Sequence, residues 1–180
     1  PSELKKQNRE KLAKMKIDSD LASLFINNPH FSPRQQTYIV AALDAMSEAK
    51  HREVVLMVAL QVQGSDMAMA ITTIAMMQAG YNKNVAKIKE IDAARRIMGG
   101  RDANGNKVLL IPVDYLTWND RIAGAIGDLD KAADAGKGEI WLLGKASKLA
   151  QSKLQEQGWE VETEVAGKIG INELGLLKKQ

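Results

Sequence analysis

The chain has 180 residues, 45% hydrophobic and 26% charged, with a formal net charge of +3. That length suits one domain, or one domain with an accessory helical lobe, and is enough to bury a real core. There is no cysteine, and the two histidines, His30 and His51, lie in different segments. Disulfides, thiolate-bound zinc, iron–sulfur clusters and thiol nucleophiles are excluded, and a His-rich metal site or His-based triad is not expected.

The charge is concentrated at the start. Residues 1–16 carry six Lys or Arg against Glu3 and Glu10, a local +4 that leaves the rest of the chain at −1. A near-neutral body argues against a nucleic-acid face. Residues 1–31 read as a basic lead-in helix and linker, of which 1–16 are solvated and contribute little to folding. The chain opens on Pro1 with no leader pattern, so it reads as a piece excised from a longer protein, with its compartment unassigned.

A helical lobe is expected over residues 32–94. Ser32 can cap, Pro33 fits the first helical position and Gln35 completes a capping box, so a helix is predicted over 33–49. The apolar run over 54–79 is interrupted by Gln61, Gln63, Gly64, Ser65 and Asp66. It reads as two short buried helices rather than a membrane span, the second capped by Ser65 or Asp66 and ended by Gly80. Met57, Met67, Met69, Met76 and Met77 read as core filler. Val85, Ile88 and Ile91 continue at three-residue spacing and predict further helix.

Residues 95–168 read as a small α/β unit. Asn104–Gly105 marks a hairpin between a strand near 95–99 and the strand "KVLLIPV", with Pro112 at an edge, an end or a bulge. A helix follows, with Thr117 as its cap, an inner stripe of Trp118, Ile122, Ala125, Ile126, Leu129 and Ala133, and Gly124 and Gly127 permitting close packing. The strand "EIWLLG" is apolar throughout, which predicts cover on both faces, with Trp141 buried and its indole N–H paired. The helix "ASKLAQSKLQEQG" and the edge strand "WEVETEV" complete β-α-β-α-β. The expected fold is thus α+β or α/β. It has an N-terminal helical lobe and a Rossmann-like three-layer unit with a three- or four-stranded, mostly parallel sheet. Residues 32–168 form one compact domain, and 169–180 a flexible tail.

In an open parallel sheet, ligands bind beyond the carboxyl ends of strands. Those ends carry Asp114, Tyr115 and Trp118 after one strand, and Gly144, Lys145 and Ser147 after the other. Lys145, Ser147 and the N–H groups of the following helix would suit a phosphate or carboxylate, and Asp114 could hold a hydroxyl or a metal. No Walker loop or dinucleotide fingerprint is present, and a plain strand-to-helix turn explains the same residues. No catalytic residue, metal or cofactor is assigned. The chain therefore reads as a non-enzymatic interaction or assembly module for a protein partner or flanking domains. The alternative is a ligand-binding or enzymatic α/β domain acting on a small anionic substrate. Nucleic-acid binding and membrane insertion are not expected.

Overall fold

A computed structural model describes residues 2–94, 96–130 and 138–171. Five helices come first: α1 (Ser2–Lys14), α2 (Ser19–Ile26), α3 (Pro33–Ala45), α4 (Glu53–Ala59) and α5 (Ser65–Asn84). The basic lead-in is docked, contrary to expectation. Leu12 of α1 is completely buried, and the buried Asn8 donates from Nδ2 to Thr37 Oγ1 on α3 at 3.1 Å. Only the other side of α1 is wet, so its lysines lie on a solvated face while one stripe packs. The expected linker also contains α2. Asp18 Oδ1 caps it by accepting from the N–H groups of Asp20 and Leu21, both at 3.0 Å. Phe25 and Ile26 of α2 are fully buried. Gln36 of α3 ties the two helices by donating to both of their carbonyls.

The capping box at α3 forms as predicted: Ser32 Oγ accepts from Gln35 N–H, and Gln35 Oε1 accepts from Ser32 N–H. The helix ends at Ala45, earlier than predicted, where Met46 leaves helical geometry and buries its side chain. Two helices do occupy the apolar run, and no described helix is long and apolar enough to cross a membrane. The cap of α5 is Gly64, in extended conformation, rather than Ser65 or Asp66. Gly80 does not stop α5. It lies inside the helix, and it is glycine because a Cβ there would collide with the carbonyl oxygen of Ile169. Met76 and Met77 fill the core as expected, whereas Met57 and Met69 are about half exposed, at 53% and 51%.

The helical reading of 85–94 is overturned. α5 stops at Asn84, and Asn82 Oδ1 captures the N–H of Ile88 at 2.9 Å. The chain then runs beside Lys50, whose N–H donates to Lys89 O and whose carbonyl accepts from Ile91 N–H. Tertiary pairing thus outweighs a weak three-residue periodicity. Strand β1 (Glu90–Ala94) results. It is followed by β2 (Ile97–Arg101), β3 (Lys107–Ile111), the short β4 (Tyr115–Leu116), α6 (Asp120–Asp130), β5 (Gly138–Leu142), the short β6 (Lys145–Ala146), α7 (Lys148–Glu156) and β7 (Trp159–Glu162).

The main sheet has five strands in the order β1-β2-β3-β5-β7. β1, β2 and β3 form an antiparallel meander, and β3, β5 and β7 run parallel. The fold is α+β with a mixed sheet, which corrects the expected three- or four-stranded, mostly parallel one. The hairpin at Gly105 (φ 79°) and the edge position of β7 match the sequence. Val108, Leu110 and Trp141 on one face of the sheet join the helical core of α1 to α5. Leu109, Ile140, Leu142 and Trp159 on the other face pack with Ile126 of α6 and with Ala150 and Leu154 of α7.

Four smaller expectations change. Asn119, not Thr117, caps α6 by accepting from Ile122 N–H at 3.0 Å. Gly124 and Gly127 have nothing within 4 Å of a built Cβ, so close packing is not their reason. Trp141 is buried, edge-on to Tyr81 at 5.1 Å, but its indole N–H has no partner among the described residues. Ile169 and Ile171 are fully buried, so the ordered core continues to residue 171. The remainder of the expected tail, 172–180, and Ala133 of the α6 stripe lie outside the described residues.

Candidate functional site

Five of the six strand-end residues, all but Trp118, are brought together, mainly by their own backbone. β4 and β6 pair in parallel, with Tyr115 opposite Lys145 and Leu116 opposite Ala146. Gly144 N–H donates to Val113 O, Lys145 N–H to Asp114 O and Ser147 N–H to Leu116 O, each at 2.9 Å. Gly144 is glycine because a Cβ would meet Asp114 Cα at 2.7 Å and its carbonyl group closer still. Ser147 caps α7 by accepting from Ala150 N–H at 3.0 Å. The N–H groups of residues 144, 145, 147 and 150 are therefore already engaged, which leaves only the first turn of α7 as a main-chain source of donors for an anion. Of the side chains, Trp118 packs against the α6–α7 core, and Asp114, Tyr115 and Lys145 are exposed. Lys145 Nζ faces Glu164 at 3.9 Å with both side chains largely in solvent, a pair of little energetic weight.

A groove in the helical lobe escaped the sequence reading. It has a volume of about 660 Å³ and lies between α2, the 27–30 loop and the end of α4. Leu24, Leu60 and Val62 supply its apolar surface, and Asp20, Asn28 and His30 lie among its polar residues. Leu24 is 60% exposed, and the half-exposed Met57 stands one turn before Leu60 on α4. An exposed apolar residue on a helix this short carries no periodic signal, so only the assembled lobe shows the groove.

A charged corner was also missed. Asp92 of β1, Arg101 of β2 and Lys107 of β3 lie on the same sheet face by register. Asp92 Oδ2 accepts from Arg101 Nε at 3.1 Å and lies 3.2 Å from Lys107 Nζ. Lys107 is only 4% exposed, rare for a lysine without close partners. Burial pushes the Asp92 carboxyl up, but Lys107 and Arg101 outweigh it and hold it below the usual carboxylate range. The signal was available in "KVLLI", where Lys107 shares the alternation of Leu109 and Ile111. On the opposite face, Tyr81 is pushed up to about 12, first by burial and then by Glu139 and Asp102.

Comparisons of the chain with protein-family models, with curated proteins and with solved structures give no match.

Proposed function

We propose that the chain is a non-enzymatic protein-docking module whose helical lobe receives an apolar segment of a partner in the α2–α4 groove. The observation that carries this reading is the exposure of Leu24 beside Leu60 and Val62 in a concave surface of about 660 Å³. Leaving a leucine side chain in water forgoes roughly 1.5–3 kcal/mol of burial, which a partner can recover. Asp20, Asn28 and His30 bring hydrogen-bonding groups of both kinds beside these apolar residues, the mixture found in small interfaces. The alternative, a small anionic substrate at the strand ends, is disfavoured by the engagement of the Gly144, Lys145 and Ser147 N–H groups with carbonyls.

The test is site-specific photo-crosslinking from position 24 in the native cell, followed by binding measurements with the purified adduct partner. Leu24→Glu should leave the melting temperature nearly unchanged and weaken that partner by at least about tenfold, or 1.4 kcal/mol. Identical adducts from positions 24 and 124, or equal affinity in Leu24→Glu, would refute the reading.

A further inference from the structure

The groove of the helical lobe has a direction, set by charge. Helices α1 and α2 are joined by residues 15–18 and fold back on one another. Arg9 Nη2 donates to Asn27 Oδ1 at 3.4 Å, which places the middle of α1 beside the end of α2. Asn27 also lines the groove, so the Arg9 guanidinium stands at its edge. Asp20, the groove's acid, is at the other end of α2, about 10 Å away at a rise of roughly 1.5 Å per residue. Leu24 lies between the two ends.

The flank of α1 that carries Arg9 is basic. Lys5 lies one turn before Arg9 on the same flank, and Lys6 adjoins both. Lys6 and Arg9 are exposed and Lys5 is half-buried. The acids of α1 face elsewhere. Successive helix residues step by about 100°, which carries Glu3 and Glu10 to the outer side, opposite the stripe of Asn8 and Leu12 that packs. The groove is thus cationic at the Asn27 end and anionic at the Asp20 end.

We infer that the occupant of the groove is an acidic amphipathic segment of a partner protein. Its apolar side chains lie against Leu24, Leu60 and Val62, and its carboxylates lie over Lys5 and Arg9. This rests on the docking reading above and adds to it the partner's charge and direction. A basic segment would set like charges together at the Arg9 end, and a reversed acidic one would set them together at Asp20. An anionic lipid surface would meet the lysines but would not enter a concave floor.

The test pans the full chain against a random-peptide phage library, with the Leu24→Ser chain in solution as counter-selection. Retained peptides are synthesised and their affinities measured by fluorescence anisotropy. They should carry net negative charge beside an apolar cluster. The double variant Lys5→Glu, Arg9→Glu should weaken them about tenfold. Lys11→Glu, Lys14→Glu makes the same change of charge on the other flank of α1 and should weaken them less than about twofold. Where the first double variant does not fold, a sodium chloride series on the unaltered chain replaces it, and affinity should fall as salt rises. Leu24-dependent peptides that are neutral or basic, equal effects of the two double variants, or affinity indifferent to salt overturn the proposal and leave the docking reading standing. A library that yields no Leu24-dependent peptide overturns the docking reading as well. Binding to phosphatidylserine vesicles that survives Leu24→Ser but not Lys5→Glu, Arg9→Glu would assign the basic flank to a membrane surface and overturn the proposal.

Discussion

Leu12→Ala tests whether the basic N-terminal helix belongs to the folded unit. Leu12 is fully buried in the main core, and its helix is anchored a turn earlier by Asn8 on Thr37. Truncating a buried leucine removes its transfer energy and leaves a cavity, at a cost of about 2–5 kcal/mol. For a chain of this size each kcal/mol lowers the melting temperature by roughly 2–4 °C, so a loss of about 3 kcal/mol shifts it by roughly 6–12 °C. Leu4, on the same helix but 38% exposed, provides the internal control and should cost well under half as much. Urea unfolding followed by circular dichroism gives both values, with an unchanged m-value confirming that only the native state was weakened. If Leu12→Ala and Leu4→Ala both fall within about 0.5 kcal/mol of the parent chain, α1 is the solvated lead-in that its charge suggests, and its docking is wrong.

Three further outcomes are expected. Burial pushes the Tyr81 hydroxyl up to about 12 from its ordinary value of about 10, so its contribution is intact below pH 10 and lost as pH climbs toward 12. The Tyr81→Phe variant should lack that part of the alkaline decline, at most about 1.4 kcal/mol per pH unit, and identical alkaline slopes would refute the assignment. Gly80→Ala should destabilise by about 1–3 kcal/mol by pushing α5 off Ile169 O, whereas Gly124→Ala, in open space on α6, should stabilise by up to about 1 kcal/mol; equal effects in thermal melts would sink the packing argument. Trp141→Phe removes a buried N–H that has no partner among the described residues but also leaves a cavity where the second ring lay, so it should cost about 1–3 kcal/mol, less than Trp141→Ala at about 3–5 kcal/mol; equal losses in urea unfolding would refute the burial of the ring.

The elements most legible in the sequence were those specified by neighbouring residues. The Ser32–Gln35 capping box, the Asn104–Gly105 hairpin and the order β3-α6-β5-α7-β7 depend on contacts within a few residues or on uninterrupted apolar runs. Elements that depend on distant partners were not legible. Strand β1 is fixed by antiparallel pairing to β2 and by the Lys50 strap some 40 residues earlier in the chain. Gly80 resembles a helix stop, but its role is set by Ile169, which lies in the segment expected to be a loose tail. The charge of residues 1–16 concealed Leu12 because a helix needs only one apolar stripe to dock.

The same distinction governs the candidate sites. "LLGKAS" resembles an anion loop because a glycine, a lysine and a helix start are what such loops use. Sequence shows that the donors exist, but not whether a carbonyl already holds them. Here β4 brings the carbonyls of residues 113, 114 and 116 alongside, and Gly144 permits that approach. The Asp92 corner is the converse case. Its three residues lie on three strands, and the register that aligns them depends on β1, which was read as helix. Lys107 alone could look like a solvated strand end. Only pairing with β2 and β5 puts it 4% exposed beside a shared carboxylate, where its charge must be balanced by something the fold brings to it.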